Sequence, residues 1–108
     1  MDKKILVFDD DSDTIQTIRT TFADLGYDTD VADEGDGGIF RLETERPDLV
    51  IADLGFPGMT GLEVLDWVTG KSLPTPVIIT GESSDENILR AFRKGAADFL
   101  KKPLNEKT

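Results

Sequence analysis

The chain has no histidine and no cysteine among its 108 residues. Without histidine there is no Ser-His triad, no imidazole general base and no histidine-ligated zinc. Nor can such a chain carry a phosphohistidine of its own. Without cysteine there are no disulfides and no thiol chemistry, which fits a reducing, cytoplasmic setting. Basic residues are scarce, 12 Lys and Arg against 22 Asp and Glu, for a formal net charge of −10. Nucleic acid needs Lys and Arg to neutralise its phosphates, and anionic membranes attract the same side chains. Direct nucleic-acid binding and membrane binding are therefore both expected to be absent. Long apolar runs are missing as well. The run nearest the N-terminus, Ile5 to Phe8, is too short for a signal peptide or a membrane span.

What is present is organised around Leu49-Val50-Ile51-Ala52-Asp53-Leu54-Gly55-Phe56-Pro57-Gly58. Four apolar residues run straight into one acid, and glycine and proline then force a loop. A short continuous apolar run reads as a strand buried on both faces of a parallel sheet. Asp53 then stands at the carboxyl end of a central strand, where open α/β sheets place their ligand crevice.

The remaining chain supports one domain over residues 1–108. Ile5-Leu6-Val7-Phe8 is a first strand ending at Asp9-Asp10-Asp11. Ser12 or Asp13 opens a helix with apolar positions Ile15, Ile18, Phe22 and Leu25, stopped by Gly26. Tyr27 to Ala32 reads as a short edge strand, and Asp33 to Gly38 as a loop. Ile39, Phe40 and Leu42 mark a weak second helix, because Gly37 and Gly38 disfavour its first turn. After the central strand, Thr60-Gly61 leads into a third helix through Leu62, Val64, Leu65, Trp67 and Val68. Val77-Ile78-Ile79 is a fourth strand ending at Thr80-Gly81. Ser83 and Glu86 have capping-box spacing and start a fourth helix, whose apolar face is Ile88, Leu89, Ala91 and Phe92. Asp98 to Lys101 is a fifth strand, halted by Pro103. Strict alternation predicts an α/β fold with a doubly wound, five-stranded parallel sheet.

Four strand ends now carry polar groups on one sheet edge: Asp9-Asp10, Asp53, Thr80 and Lys102. Neighbouring carboxylates repel by roughly 4 kcal/mol per pair at about 4 Å and an effective dielectric of about 20. A hard divalent cation removes that cost, and oxygen-only ligands suit Mg²⁺. A carboxylate beside such a cation can accept a phosphoryl group as an acyl phosphate. Thr80 offers a hydroxyl and Lys102 a point charge for the phosphoryl oxygens. Taken singly, each residue has a plainer reading. The acidic triplet suits a helix N-terminus, Thr80 suits a cap, Lys102 a solvated lysine and Phe99 a core aromatic.

At these residues the chain resembles the receiver domains of two-component response regulators, of chemotaxis-regulator type. The resemblance rests on Ile5 to Asp11, on Pro47 to Asp53 with Pro57 to Leu65, on Pro76 to Gly81 and on Gly95 to Pro103. It implies a flavodoxin-like strand order of 2-1-3-4-5. Asp53 would be the phosphoacceptor, with Asp9, Asp10, Asp53 and the backbone carbonyl of Gly55 holding Mg²⁺. Thr80 and Lys102 would contact the phosphoryl group, and Phe99 would change rotamer when Thr80 moves. A cis peptide is implied before Pro103. The donor would be a separate histidine kinase, and the result a changed surface that regulates an output domain or partner protein. The domain would be a signalling module and not an enzyme.

Three positions depart from the family pattern: Gly55 lacks a side chain, Phe99 lacks a tyrosine hydroxyl, and Leu104 replaces a common phenylalanine. The rival readings are a Mg²⁺-dependent phosphatase working through an aspartyl phosphate, and an interaction module that is never phosphorylated. The first usually places a second acid two residues beyond the nucleophile, where this chain has Gly55. The intact set of Asp9, Asp10, Asp53, Thr80 and Lys102 counts against the second.

Right-handed crossovers in order 2-1-3-4-5 put the first helix alone on one sheet face and three helices on the other. The chain ends at Thr108, where the family would build a fifth helix. The expectation is that a longer product supplies that final helix or that the chain self-associates through the uncovered sheet face.

Overall fold

The computed structural model describes residues 3–32, 35–56, 58–82 and 84–104. Elements alternate as β1 (Lys3–Phe8), α1 (Ser12–Ala23), β2 (Tyr27–Ala32), α2 (Gly35–Glu45), β3 (Leu49–Asp53), α3 (Gly61–Gly70), β4 (Val77–Gly81), α4 (Asp85–Arg93) and β5 (Asp98–Lys101). The five strands form one parallel sheet in the order β2-β1-β3-β4-β5, as expected. Register pairs Phe8 with Ala52, Asp53 with Thr80, and Gly81 with Lys101. The carboxyl ends of β1, β3, β4 and β5 therefore finish level, and whatever follows them meets at one edge.

Side chains alternate across the sheet. Leu6, Phe8, Val50, Ala52, Val77 and Ile79 pack with Leu42 of α2, with Val64, Leu65 and Val68 of α3, and with Ala91 of α4. Ile5, Val7 and Ile51 face the other way, onto Ile18 of α1, with Phe22, Ile78 and Leu104 at the margin. One helix thus faces three, as the crossover rule requires. β3 is covered on both faces, which is why its sequence shows no polar alternation.

Three local expectations are corrected. α2 starts at Gly35, inside the stretch assigned to a loop; Asp33 and Glu34 lie outside the described residues. Helix propensity against Gly37 and Gly38 loses here to tertiary packing. A Cβ on Gly38 would stand 2.0 Å from Cε2 of Phe8, so only glycine lets α2 lie on the end of β1. α1 ends at Ala23, so Leu25 falls beyond it and is 65% exposed. At α4 the cap is Ser84, whose Oγ accepts from the Asn87 amide at 3.2 Å, one residue later than expected; Ser83 itself lies outside the described residues. The apolar stripe of α4 is also not an inward face. Ala91 is buried, while Leu89 and Phe92 are about half exposed. Periodicity reveals a stripe but not which way it faces.

Candidate functional site

The acidic triplet divides at its third member. Asp11 is the N-cap of α1, and its carboxylate accepts from both the amide and the hydroxyl of Thr14. Those hydrogen bonds, the side-chain one foremost, hold its carboxyl below the usual range. The capping reading is correct for Asp11 and for neither of its neighbours. Asp9 follows four buried residues out of β1 and is itself 1% exposed. Its Oδ1 accepts the Asp11 amide at 2.9 Å and the Lys102 ammonium at 3.1 Å. Its Oδ2 is buried 3.0 Å from the same ammonium and accepts no hydrogen bond among the described residues. Asp10 is exposed at the rim.

Asp53 is the last residue of β3 and is 8% exposed. Its carbonyl accepts the Phe56 amide at 3.2 Å, closing a turn through Leu54 and Gly55. Phe56 then returns under the edge, its ring meeting Phe8 edge to face at 5.9 Å between centroids. This pair ties the end of β1 to the loop after β3, directly beneath the two carboxylates. A Cβ at Gly55 would be 3.6 Å from Oδ2 of Asp53, so any side chain there would touch the carboxylate.

Lys102 arrives from the far side, just past β5. Its amide donates to the Gly81 carbonyl at 3.0 Å, and the Lys102–Pro103 peptide bond is cis, as the resemblance implied. Its ammonium lies 3.3 Å from Oδ1 of Asp53 as well as against Asp9. Burial of the ammonium works to lower the Lys102 pKa, but the hydrogen bond and charge of Asp9, with Asp53 behind them, outweigh it and raise it. For Asp53 burial dominates and raises the pKa. The Asp9 charge adds to it, against the pull of Lys102 and the Gly55 amide. Thr80 is fully buried beside Asp53 in register, and among the described residues its Oγ1 has no hydrogen-bond partner. An unpaired buried hydroxyl costs about 1–3 kcal/mol. Phe99 is half-buried against the α2–α3–α4 core, opposite Ile79 and not opposite Thr80.

Asp9, Asp10 and Asp53 each offer a carboxylate oxygen, and these atoms lie within 4.8 Å of one another. An all-oxygen ligand set, one of its oxygens buried and without a hydrogen bond among the described residues, fits a hard divalent cation such as Mg²⁺. All the residues singled out from the sequence except Phe99 thus gather at one edge. The sequence reading missed the structural parts: the Phe8–Phe56 pair, Gly38, and Gly61 at the first position of α3. Glycine at a helix start was the available signal, since it marks close backbone approach.

The family model described as the response regulator receiver domain matches residues 5–108. The chain is 30% identical over 106 residues to PhoP, the alkaline phosphatase synthesis transcriptional regulatory protein of Bacillus subtilis, covering 97% of this chain and 44% of that protein. It is 31% identical to the DNA-binding response regulator MtrA of Mycolicibacterium paratuberculosis, covering 99% of this chain and 48% of that one. Among solved structures, the receiver domain of Francisella response regulator 1452 is 34% identical with a TM-score of 0.87, over 98% of this chain and 88% of that one. Chemotaxis protein CheY4 of Vibrio cholerae is 30% identical with a TM-score of 0.85, over 99% and 92%. The chain spans less than half the length of the curated relatives named here. The name of MtrA runs against the expectation that nucleic acid is no partner. The charge of −10 describes these 108 residues alone, so it does not support excluding nucleic acid as a partner beyond them. With fold, strand order and family model in agreement, this chain belongs to the receiver domains of two-component response regulators.

Proposed function

We propose that Asp53 is the phosphoacceptor and that the domain takes its phosphoryl group from a phosphohistidine on a separate kinase. The observation that carries this is the Asp53 carboxylate at a strand end, 3.3 Å from the Lys102 ammonium and grouped with Asp9 and Asp10. Burial and the Asp9 charge make the Asp53 carboxylate more basic than usual, hence a better nucleophile. One of its oxygens attacks phosphorus, the P–N bond breaks, and the electron pair stays on the departing imidazole, which takes up a proton. Lys102 holds the added negative charge, and the unpartnered hydroxyl of Thr80 is free to donate to a phosphoryl oxygen. Asp9, Asp10, Asp53 and the Gly55 carbonyl would hold Mg²⁺, which when bound neutralises charge between carboxylates and phosphoryl oxygens.

Recruitment of Thr80 toward the phosphoryl group would be read out at β4, α4 and Phe99. The half-exposed Leu89 and Phe92 supply apolar area there for an output domain or partner. Among the described residues no helix is long and apolar enough to cross a membrane, and we assign the domain to the cytoplasm. We read it as a signalling module; an aspartyl-phosphate phosphatase is disfavoured by Gly55, which offers no general acid. DNA binding, as in the name of MtrA, would belong to another part of a longer product.

Incubation with acetyl phosphate and Mg²⁺, followed by intact-mass measurement, tests the assignment. One phosphoryl group is expected, none when a chelator is present from the start of the incubation, and none in Asp53→Asn. Undiminished labelling of that variant would overturn it.

A further inference from the structure

The start of α3 is held unusually firmly. Thr60 and Glu63 form a reciprocal capping box, with the Thr60 hydroxyl accepting the Glu63 amide at 3.3 Å and the Glu63 carboxylate accepting the Thr60 amide at 3.2 Å. Between them Gly61 is buried. A Cβ on Gly61 would be 2.9 Å from the carbonyl oxygens of both Ala52 and Asp53 and 3.0 Å from the Asp53 carbonyl carbon. These are backbone atoms at the end of β3, so no side-chain rotation would make room. The same Asp53 carbonyl closes the turn to Phe56 that contains Gly55. A shift of that carbonyl would move both the Asp53 carboxylate and the Gly55 backbone.

We propose that Gly61 is a positioning residue for the site: its lack of a Cβ lets the start of α3 lie against the β3 carbonyls without displacing them, which preserves the aim of the Asp53 carboxylate and of the Gly55 turn. The inference rests on the proposed role of Asp53 and its neighbours. It goes further by assigning cation and phosphoryl chemistry a dependence on a residue that touches neither group. It separates Gly61 from the other glycine of the same helix: Gly70, at the far end of α3, would have nothing within 4 Å of its Cβ.

The test compares Gly61→Ala with Val68→Ala, which removes a buried side chain from the same helix without pressing on β3. Mg²⁺ affinity is measured by calorimetry and acetyl phosphate labelling by mass, both at a temperature where circular dichroism shows each variant folded. The expected result is a loss of about tenfold or more in Mg²⁺ affinity and in labelling rate for Gly61→Ala, with Val68→Ala within twofold of the parent. Unchanged Mg²⁺ affinity in folded Gly61→Ala overturns the proposal, as does an equal loss in Val68→Ala. If Gly61→Ala does not fold, Thr60→Ala, which loosens the same turn, decides: weakened Mg²⁺ binding supports the proposal and parental affinity overturns it. A parent chain that binds Mg²⁺ but is not labelled would defeat the phosphoacceptor reading and leave the affinity comparison standing. A parent that binds no Mg²⁺ would defeat both.

Discussion

At Asp53 two requirements conflict. A nucleophilic carboxylate is best desolvated and crowded by charge, and a stable fold is best without such a group. Because burial and Asp9 raise its folded pKa above the ordinary carboxylate value, the folded chain holds the Asp53 proton more tightly than the unfolded chain does. The stability this contributes is complete below the unfolded pKa and is lost as pH rises through the folded one. Asp53→Asn removes that loss. In chelator, its unfolding midpoint in urea should match the parent near pH 4 and exceed it near pH 7. The gap should open progressively between those two pH values, as the buried carboxylate of the parent ionises. A gap that is constant with pH, or reversed, would show that burial of the charge is not the cause. Gly55 makes a second residue-scale point. With no side chain at Gly55, where a Cβ would touch the carboxylate at 3.6 Å, water would have access from that side to an acyl phosphate formed on Asp53. Gly55→Met should lengthen the lifetime of the phosphorylated state several-fold, followed by loss of label after rapid removal of acetyl phosphate. Equal or faster loss would exclude access at this position as the control.

At the scale of elements, what the sequence revealed depended on whether the deciding contact was local. The ends of β1 and β3 were legible because apolar runs stop abruptly at Asp9 and after Asp53, and the sheet edge gathers strand ends by topology alone. The capping box at Thr60 and Glu63 was there to be read in the spacing but was not singled out, and the cap expected at Ser83 falls one residue later, at Ser84. The start of α2 was not legible, because its two glycines argue against helix locally and the contact that demands one of them, the Phe8 ring, is thirty residues away in sequence. The outward aim of Leu89 and Phe92 was hidden for the same reason: an apolar stripe is local, its partner is not. The α2 packing is directly testable. Gly38→Ala gains helix propensity of about 1 kcal/mol, yet its Cβ must displace the Phe8 ring, an overpacking cost of typically 1–3 kcal/mol or more. We expect net destabilisation in chemical denaturation. Because Phe8 packs edge to face against Phe56 below the site, we also expect weaker Mg²⁺ binding. A stabilised variant would mean that α2 is free to shift and that the glycine serves no packing role.

Across the whole molecule the sheet is covered unequally. On the three-helix face the core runs from Leu6 to Ile79 under α2, α3 and α4. On the other, α1 buries Ile5, Val7 and Ile51 completely, but among the described residues the cover thins toward β4 and β5. There Ile78 and Leu100 stay only half-buried and Leu104 packs at the margin. A helix is about 10 Å wide, and five strands at about 4.8 Å span roughly 24 Å, so α1 cannot reach the β4–β5 side. Apolar surface left in water forfeits about 25 cal/mol per Å². Even a patch of about 200 Å² is then worth about 5 kcal/mol, the lower end of a typical domain's stability. That free energy is recovered if the patch is covered, either by further chain in a longer product or by a second copy. For the 108-residue chain by itself, sedimentation should show concentration-dependent association, or an apolar dye should bind and fluoresce. Leu100→Lys, which places a charge on the thin part of this face, should suppress whichever signal is seen while leaving Asp53 labelling intact. A monomer at all concentrations with no dye binding would show that α1 and Leu104 suffice, and the uneven cover would then carry no energetic consequence.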